Sequence, residues 1–298
     1  CGGVPLAIGV QTDMATPALA RFGSKELRDE FLAPAIAGEY VASIAVSEVH
    51  AGSDVAAIKT TAKKDGDDYV INGSKMWITN SLQADFFCLL ANTSDDKPHV
   101  NKSMIIVPAK SKGISFSEPL NKLGMRSTVT AEVYFDNVRV PQRNLVGAEG
   151  MGFMMLMKEL AWERLIVAII CQAGAEAAFA HTVKYTKERQ AFGKSISHFQ
   201  NTRFKLAELR TEIDVCRTYL DRCMQLQLNH ELGVDAAAAA KYKISEMYSK
   251  VVDECLQLHG GYGYMLEYPI ARAYIDNRAN RIYAGTNEIM KELIARSL

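Results

Sequence analysis

The sequence of 298 residues lacks the patterns that indicate a metal centre or a disulfide framework. Its cysteines are scattered without a CxxC pair, which is typical of free thiols in a reducing compartment. They are Cys1, Cys88, Cys171, Cys216, Cys223 and Cys255. Neither His50 nor His99 has a second ligand at metal-binding spacing. We therefore expect no zinc site and no bound metal.

An excess of charge is also missing, since 34 acidic residues balance 34 basic ones. Without a basic block, the chain has no source of electrostatic attraction to nucleic acid. The longest apolar stretches are too short or too interrupted to cross a bilayer, so we expect no membrane span. With 48% hydrophobic residues, the chain can bury a large core over two or three domains.

Hydrophobic periodicity divides the chain into three parts. Residues 1–37 are typical of the end of a helical domain, where Thr16 and Pro17 would open one helix and Ser24 would cap another. Residues 38–146 show a period of two interrupted by frequent turns, which predicts a β-barrel or sandwich, and we adopt a central β-barrel. Residues 147–298 return to a period of 3.6 and predict a helical bundle. The predicted fold class is therefore α+β.

Finer predictions concern one turn, one alanine run and the helices of the bundle. The NGS turn should separate a strand at Tyr69–Asn72 from another at Lys75–Thr79. The alanine run Ala236–Ala240 is interpreted as helix propensity alone. The bundle should contain three long helices and two shorter ones, at Phe153–Lys187, His198–His230, Val234–His259, Pro269–Arg281 and Asn287–Leu298.

The stretch QLHGGYGYMLEYPIARAYID, residues 257–276, stops a helix at Gly260, Gly261 and Gly263. Glycine reaches positive φ and lets a ligand approach bare main chain, although an ordinary helix C-cap is the alternative. Together with Gln257 ahead of the glycines, the stretch resembles the second sequence signature of the acyl-CoA dehydrogenases. These are flavoenzymes that desaturate acyl thioesters.

The segment AVSEVHAGSD, residues 45–54, resembles the first signature of the same family, although Val49 and His50 depart from its usual pattern. A simple capping turn is the alternative. The resemblance implies that this loop binds flavin and that one serine, Ser53, also reaches the thioester ligand. The implied flavin-binding residues are Val46, Ser47, Gly52 and Ser53.

The segment KMWITN, residues 75–80, resembles the family's WIT or WIS segment. A tryptophan on a strand usually lies in the core, because its ring buries a large apolar area. The resemblance instead implies that Trp77 packs along the flavin ring while Ile78 and Thr79 contact its polar edge.

A third segment, RQAFGKSISHFQ, joins the first two long helices. Its alternatives are a plain connection with a core Phe192 and a solvated Arg189, or a nucleotide site. The family has R-x-x-F-G-K followed by glutamine here. The resemblance implies that Arg189, Phe192 and Gln200, with Gln257, Gly260 and Gly261, hold the flavin adenine dinucleotide (FAD) of a neighbouring subunit. An oligomer, a dimer or a dimer of dimers, would follow.

The final motif, IYAGTNEI at residues 282–289, completes the implied site. The resemblance implies that Tyr283, Ala284 and Gly285 bind substrate, with the Ala284 N–H holding the thioester oxygen. It also implies that Thr286 and Glu288 contact flavin.

The catalytic base needs a separate assignment, because many family members carry a glutamate where this chain has Ala284. The long-chain and isovaleryl branches supply the base from an E-R-L segment, which Glu163-Arg164-Leu165 resembles. The resemblance implies that Glu163 takes the substrate α-proton and that Arg164 binds the CoA portion. A solvated Glu163 paired with Arg164 or a lysine is the alternative.

Taken over essentially the whole chain, the resemblance implies FAD-dependent dehydrogenation of an acyl-CoA to the trans-2-enoyl-CoA, with an electron-transferring flavoprotein as acceptor. The closing run YAGTNEIMKELIAR is most similar to the long-chain branch. Alternatives are an acyl-CoA oxidase or flavin monooxygenase on the same fold, or a non-catalytic CoA-binding or assembly protein. We interpret the chain as a fragment lacking most of an N-terminal helical domain. The expected compartment is the mitochondrial matrix in a eukaryote or the cytoplasm in a bacterium.

Overall fold

The computed structural model describes residues 2–298, so Cys1 and its predicted free thiol lie outside the described residues. The other cysteines predicted as thiols are buried: Cys88, Cys171, Cys216, Cys223 and Cys255. The chain divides into two compact units. The sheet unit comprises Leu6–Lys122 and Thr128–Leu160, and the bundle unit comprises residues 2–5, 123–127 and 161–298.

Short helices precede the sheet. They are α1 (Gly3–Gly9), α2 (Pro17–Phe22), α3 (Lys25–Leu27) and α4 (Ala33–Ala37), with π-helical turns at Val10–Ala15 and Arg28–Leu32. Pro17 is the first residue of α2, where its missing N–H removes no helical hydrogen bond. The Ser24 side chain caps α3 by accepting a hydrogen bond of 3.2 Å from the Leu27 N–H. The helix starts predicted at Pro17 and Ser24 are confirmed.

Eight strands form one sheet within the described residues. They are β1 (Ala42–Ala45), β2 (Thr61–Asp65), β3 (Asp68–Thr79), β4 (Phe86–Asn92), β5 (Lys102–Pro108), β6 (Ile114–Phe116), β7 (Thr130–Pro141) and β8 (Leu145–Val146). The order is β6-β7-β3-β2-β4-β5-β8, and β1 pairs with β4 in parallel. Strand β4 is buried on both faces: Phe86, Cys88 and Leu90 join one core cluster, and Phe87 and Leu89 join the other.

The predicted turn between Tyr69–Asn72 and Lys75–Thr79 is wrong, because β3 continues through it. The pairing with β7 shifts between Ile71 and Gly73, so the sequence signal of a turn marks an irregularity inside a strand. Gly73 has φ 144°, and a Cβ there would lie 2.7 Å from the Thr60 Cα. The glycine is needed for close approach of two backbones.

The bundle unit contains long helices near the predicted positions. They are α5 (Gly152–Glu188), whose first turns belong to the sheet unit, α6 (Gln200–Leu228) and α7 (Val234–His259), followed by α8 (Pro269–Asn277) and α9 (Asn287–Ala295). Helix α6 starts two residues later than predicted, because Phe199 has extended backbone angles. Buried residues of α5, α6 and α7 form one core, including Leu165, Leu209 and Ile244. The predicted α+β class is confirmed.

Helix α5 corrects the expectation about apolar stretches. Among the described residues it is the one helix long and apolar enough, by length and composition, to cross a membrane. Leu165, Val167, Ala168, Cys171 and Ala175 of this helix are buried in the bundle core. That burial is what a core helix of a bundle requires.

Candidate active site

The predicted base lies on the buried side of α5. Glu163 is 6% exposed and Arg164 is also 6% exposed, and Val167, one turn beyond Glu163, is fully buried. The alternative of a solvated Glu163 is therefore wrong. Burial lowers the pKa of Arg164, and the charge of Glu163 opposes that change.

The segment after α8 turns back towards α5. The Arg164 Nε donates a hydrogen bond of 3.4 Å to the Ala284 carbonyl. Ala284 and Gly285 both have positive φ, 55° and 89°. A Cβ at Gly285 would lie 2.7 Å from the Met290 Cε and would be strained whatever the space. The structure thus brings Arg164, Ala284 and Gly285 together, although they lie 120 residues apart in sequence.

Three of the predicted site residues have a strained backbone. Trp77, Phe192 and Ala284 lie in the left-handed region, which costs an L residue roughly 1–2 kcal/mol.

 Seven non-glycine residues in the described chain have positive φ, and these three are among them, with φ of 59°, 50° and 55°. The others are Asn80, Met125, Asn137 and His230. Strained backbone that persists in a fold is a recognised mark of a functional site.

The sequence interpretation missed Lys241, which follows the alanine run on α7. Its side chain is fully buried, and its Nζ donates hydrogen bonds of 2.7 Å to the Gly285 carbonyl and 3.0 Å to the Asn287 Oδ1. Burial lowers the pKa of Lys241 to about 8. The available signal was position: Lys241 lies one turn after Ala237 and one turn before Ser245, both buried on the same face.

The start of α9 has a helix cap. The Thr286 hydroxyl accepts a hydrogen bond of 3.3 Å from the Ile289 N–H. Glu288 is exposed, and hydrogen bonds to its own backbone and to Thr286 lower its pKa. Tyr283 is partly buried, and burial raises the pKa of its hydroxyl. The predicted flavin contacts of Thr286 and Glu288 and the substrate contact of Tyr283 stay predictions.

In the sheet unit, the two predicted flavin segments are joined to each other. The Met76 N–H donates a hydrogen bond of 2.9 Å to the Ser47 carbonyl, and the Lys75 Nζ donates one of the same length to the Val46 carbonyl. Gly52 and Ser53 are exposed at the end of this loop. The first signature and the WIT segment therefore form one surface of the sheet unit.

A buried ion pair anchors that surface and was not predicted. The Glu48 carboxylate accepts hydrogen bonds of 2.9 Å from the Lys75 Nζ and 2.6 Å from the Thr60 hydroxyl. Burial raises the pKa of Glu48, but the Lys75 charge and these hydrogen bonds outweigh it and the net pKa is lowered. Burial lowers the pKa of Lys75 to about 8. The two residues are 27 apart in sequence, so no local pattern could pair them.

The WIT segment presents its three side chains differently. Trp77 is 54% exposed, so the core alternative for this ring is wrong. Ile78 is buried in the sheet core, which leaves its main chain as the part that a ligand could contact. The Thr79 carbonyl accepts a hydrogen bond of 2.6 Å from the Ser43 hydroxyl.

In the bundle unit, several of the predicted nucleotide-binding residues line one cavity of ≈ 510 Å³. They are Arg189, Gln257, Gly260 and Gly261. The Arg189 guanidinium lies 5.4 Å from the centre of the Tyr262 ring. A Cβ at Gly260 or Gly261 would meet no atom within 4 Å, so the main chain there is open to a ligand.

The other two predicted nucleotide-binding residues lie elsewhere on the surface. Phe192 and Gly193 form the tip of a two-residue hairpin between Gln190–Ala191 and Lys194–Ser195, and both have positive φ, as such turns require. Phe192 is 95% exposed, so the alternative of a core phenylalanine is wrong. Gln200 is the exposed first residue of α6. Among the described residues that line the cavity, neither Phe192 nor Gln200 is found.

Comparison with known proteins identifies the family. Residues 43–138 match the sequence model described as "Acyl-CoA dehydrogenase, middle domain", and residues 150–298 match "Acyl-CoA dehydrogenase, C-terminal domain". The chain is 44% identical to the mitochondrial long-chain specific acyl-CoA dehydrogenase of Sus scrofa, over 97% of this chain and 68% of that protein.

Solved structures agree with the sequence matches. An acyl-CoA dehydrogenase from Geobacillus kaustophilus has a TM-score of 0.96 and 44% identity, covering 98% of this chain and 77% of that one. A structure described as an electron-transferring flavoprotein of Acidaminococcus fermentans has a TM-score of 0.96 and 34% identity, covering 99% and 78%. The chain belongs to the acyl-CoA dehydrogenase family, flavoprotein oxidoreductases that act on CH–CH donors.

Proposed function

We propose that this protein dehydrogenates a fatty acyl-CoA to the trans-2-enoyl-CoA with FAD as its cofactor. The observation that carries the proposal is the buried Glu163, whose neighbour Arg164 binds the strained loop at Ala284. A carboxylate can take the α-proton, whereas the alanine at position 284 cannot. We therefore assign the base to Glu163, as the resemblance to the long-chain branch also implies.

The residues present fit FAD. The sheet unit offers the exposed ring of Trp77 and the open loop at Gly52 and Ser53, and the bundle unit offers bare glycine amides beside Arg189. Arginine and free amides suit a pyrophosphate, and an exposed aromatic ring suits a flat heterocycle. When bound, FAD would accept the hydride that leaves the substrate β-carbon.

The chain's own residues would carry the proton chemistry. Glu163 removes the α-proton, and the Ala284 N–H donates a hydrogen bond to the thioester oxygen as negative charge develops there. Arg164 holds the Ala284 carbonyl, and its guanidinium would contact the CoA portion. Because the positive φ of Ala284 is held by these contacts, its N–H needs no rearrangement during the reaction.

An apolar cavity supports a fatty acyl substrate. It measures ≈ 530 Å³ and is lined by Ile170, Ala173 and Ala177 of α5 and by Tyr268 and Ala273. Ile170 lies seven residues beyond Glu163, about 10 Å along the helix axis at 1.5 Å per residue. We infer a long acyl chain from the 44% identity to the long-chain specific relative.

Partners follow from the same proposal. The Arg189 cavity would hold the FAD of a neighbouring subunit, so the protein would form a homo-oligomer. An electron-transferring flavoprotein would be the electron acceptor, a partner class that one of the structural neighbours represents.

The test is the Glu163→Gln variant in the FAD-loaded full-length protein. We expect FAD and acyl-CoA binding to persist while anaerobic flavin bleaching by acyl-CoA slows by several orders of magnitude, because the base is lost. Glu292→Gln is the matched control, since Glu292 is exposed on α9, paired with Arg296, and has no assigned role in the site. Glu159→Gln should also leave proton abstraction largely intact, but Glu159 is buried against Arg21, so its stability needs checking.

Near-normal bleaching in Glu163→Gln would remove Glu163 as the base. Failure of every acyl-CoA to bleach the wild-type flavin would point to the non-catalytic alternative. Rapid hydrogen peroxide formation on admitting air would point to the oxidase alternative.

A further inference from the structure

Lys241 lies at the centre of the loop that the proposed function uses. Its Nζ holds the Gly285 carbonyl at 2.7 Å, and Arg164 holds the preceding carbonyl, that of Ala284, at 3.4 Å. Two cations therefore bind two successive carbonyl groups of a backbone with positive φ at both residues. Each contact restricts rotation of one peptide plane, and together they restrict the chain on both sides of Gly285.

Asn287 links the same lysine to the start of α9. The Lys241 Nζ donates a hydrogen bond of 3.0 Å to the Asn287 Oδ1, and the Asn287 Nδ2 donates one of 3.0 Å to the Ser245 hydroxyl. Asn287, Ser245 and Lys241 are each 1% exposed or less. Buried polar contacts to α7 thus fix the loop at Gly285 and at Asn287.

Burying the ammonium group of Lys241 in order to hold the loop costs free energy. The two oxygens that accept hydrogen bonds from the Lys241 Nζ, on Gly285 and Asn287, are both neutral. Burying a charge without a hydrogen-bonded counter-ion is unfavourable. Apolar replacements of buried charges are often neutral or stabilising. Stability alone therefore gives no reason for a lysine here.

We propose that Lys241 is a positioning residue for substrate activation: with Arg164 it fixes the peptide planes on both sides of Gly285, and this restricts the adjoining plane that carries the Ala284 N–H. The inference rests on the proposed function, because that function gives the Ala284 N–H its role. The positive charge of Lys241 also lies beside the loop where negative charge would develop on the thioester oxygen, which adds to its effect.

The experiment compares Lys241→Met and Lys241→Gln with wild type in the FAD-loaded protein. We expect Lys241→Met to fold and to bind FAD, with kcat lowered about 10- to 100-fold and KM changed little, because a small displacement of a donor costs rate. Lys241→Gln keeps an N–H donor and should recover part of kcat. Lys243→Met is the control, an exposed lysine on the same helix paired with Glu212.

A second measurement separates positioning from folding. A bound 3-oxoacyl-CoA ionises to its enolate, which absorbs in the ultraviolet, and a weaker oxyanion donor should raise the pH at which this occurs in Lys241→Met. Wild-type kcat and wild-type ligand ionisation in folded Lys241→Met would overturn the inference.

Losses of kcat that follow the folded fraction in both variants would also overturn it, in favour of a structural role. If Lys241→Met does not fold, Lys241→Gln decides by the same two measurements. A wild-type protein that oxidises no acyl-CoA defeats the proposed function itself, and the inference with it, whereas an active wild type with unaltered variants defeats the inference alone.

Discussion

Each of the two units buries a lysine, but the two lysines have different hydrogen-bond partners. Lys75 of the sheet unit is paired with the Glu48 carboxylate at 2.9 Å, whereas Lys241 of the bundle unit is held by the neutral oxygens of Gly285 and Asn287. Burial lowers the pKa of both lysines to about 8. The same cost of burial is thus offset by an ion pair in one unit and by backbone and amide dipoles in the other.

This difference separates two uses of a buried charge. The Glu48–Lys75 pair ties the flavin-segment loop to β3, so removing one partner leaves the other charged and buried. Lys241 leaves only neutral acceptors behind when it is removed. We expect the sheet unit to depend on its lysine for stability and the bundle unit to depend on its lysine for activity.

The largest expected effect is on the ion pair. Lys75→Met should lower the free energy of unfolding by about 3–5 kcal/mol, because it leaves the Glu48 carboxylate buried without its cation. Chemical denaturation of Lys75→Met and Lys241→Met side by side measures the contrast. The double variant Glu48→Gln/Lys75→Met should regain about 1–3 kcal/mol. Equal losses in the two lysine variants would contradict the comparison.

The next largest expected effect is the change in the free energy of unfolding as Lys241 loses its proton. Its pKa is about 8 in the folded protein and 10.5 ordinarily, so between these values the unfolded state holds more protons and the stability of the wild type rises with pH. Relative to Lys241→Met, the unfolding free energy should rise by roughly 3 kcal/mol from pH 7 to full deprotonation. Denaturation curves of the two proteins at several pH values measure the difference, and parallel pH profiles would contradict it.

The smallest effect concerns the strained loop that Lys241 holds. Ala284→Gly should raise the unfolding free energy by about 1 kcal/mol, because glycine adopts positive φ without the steric cost of a Cβ. Ala173→Gly, at an exposed position within α5, should instead lower the unfolding free energy by about 1 kcal/mol. A destabilised Ala284→Gly variant would mean that the loop is not strained.

The long elements could be predicted because their signals are local. The period of 3.6 located α5, α7 and α8, and Pro17 and Ser24 marked helix starts. The turn predicted before Lys75 failed because glycine can serve a strand irregularity as well as a turn, and only pairing with β7 distinguishes them. Helix α5 was underestimated as an apolar stretch, although an 18-residue window within it contains at most two charged residues.

The sequence by itself determined the family, through motifs in the expected order. It also determined the candidate base, because Ala284 cannot accept a proton and the E-R-L segment offers Glu163 instead. Tertiary structure decided which side chains are buried or exposed: Phe192 is exposed, and Glu163 is not. It also decided which residues meet, since Lys241 reaches Gly285 across 44 residues and Arg164 reaches Ala284 across 120. The physical reason is range: periodicity and caps act within a few residues, whereas a buried charge finds its partners only when distant segments pack together.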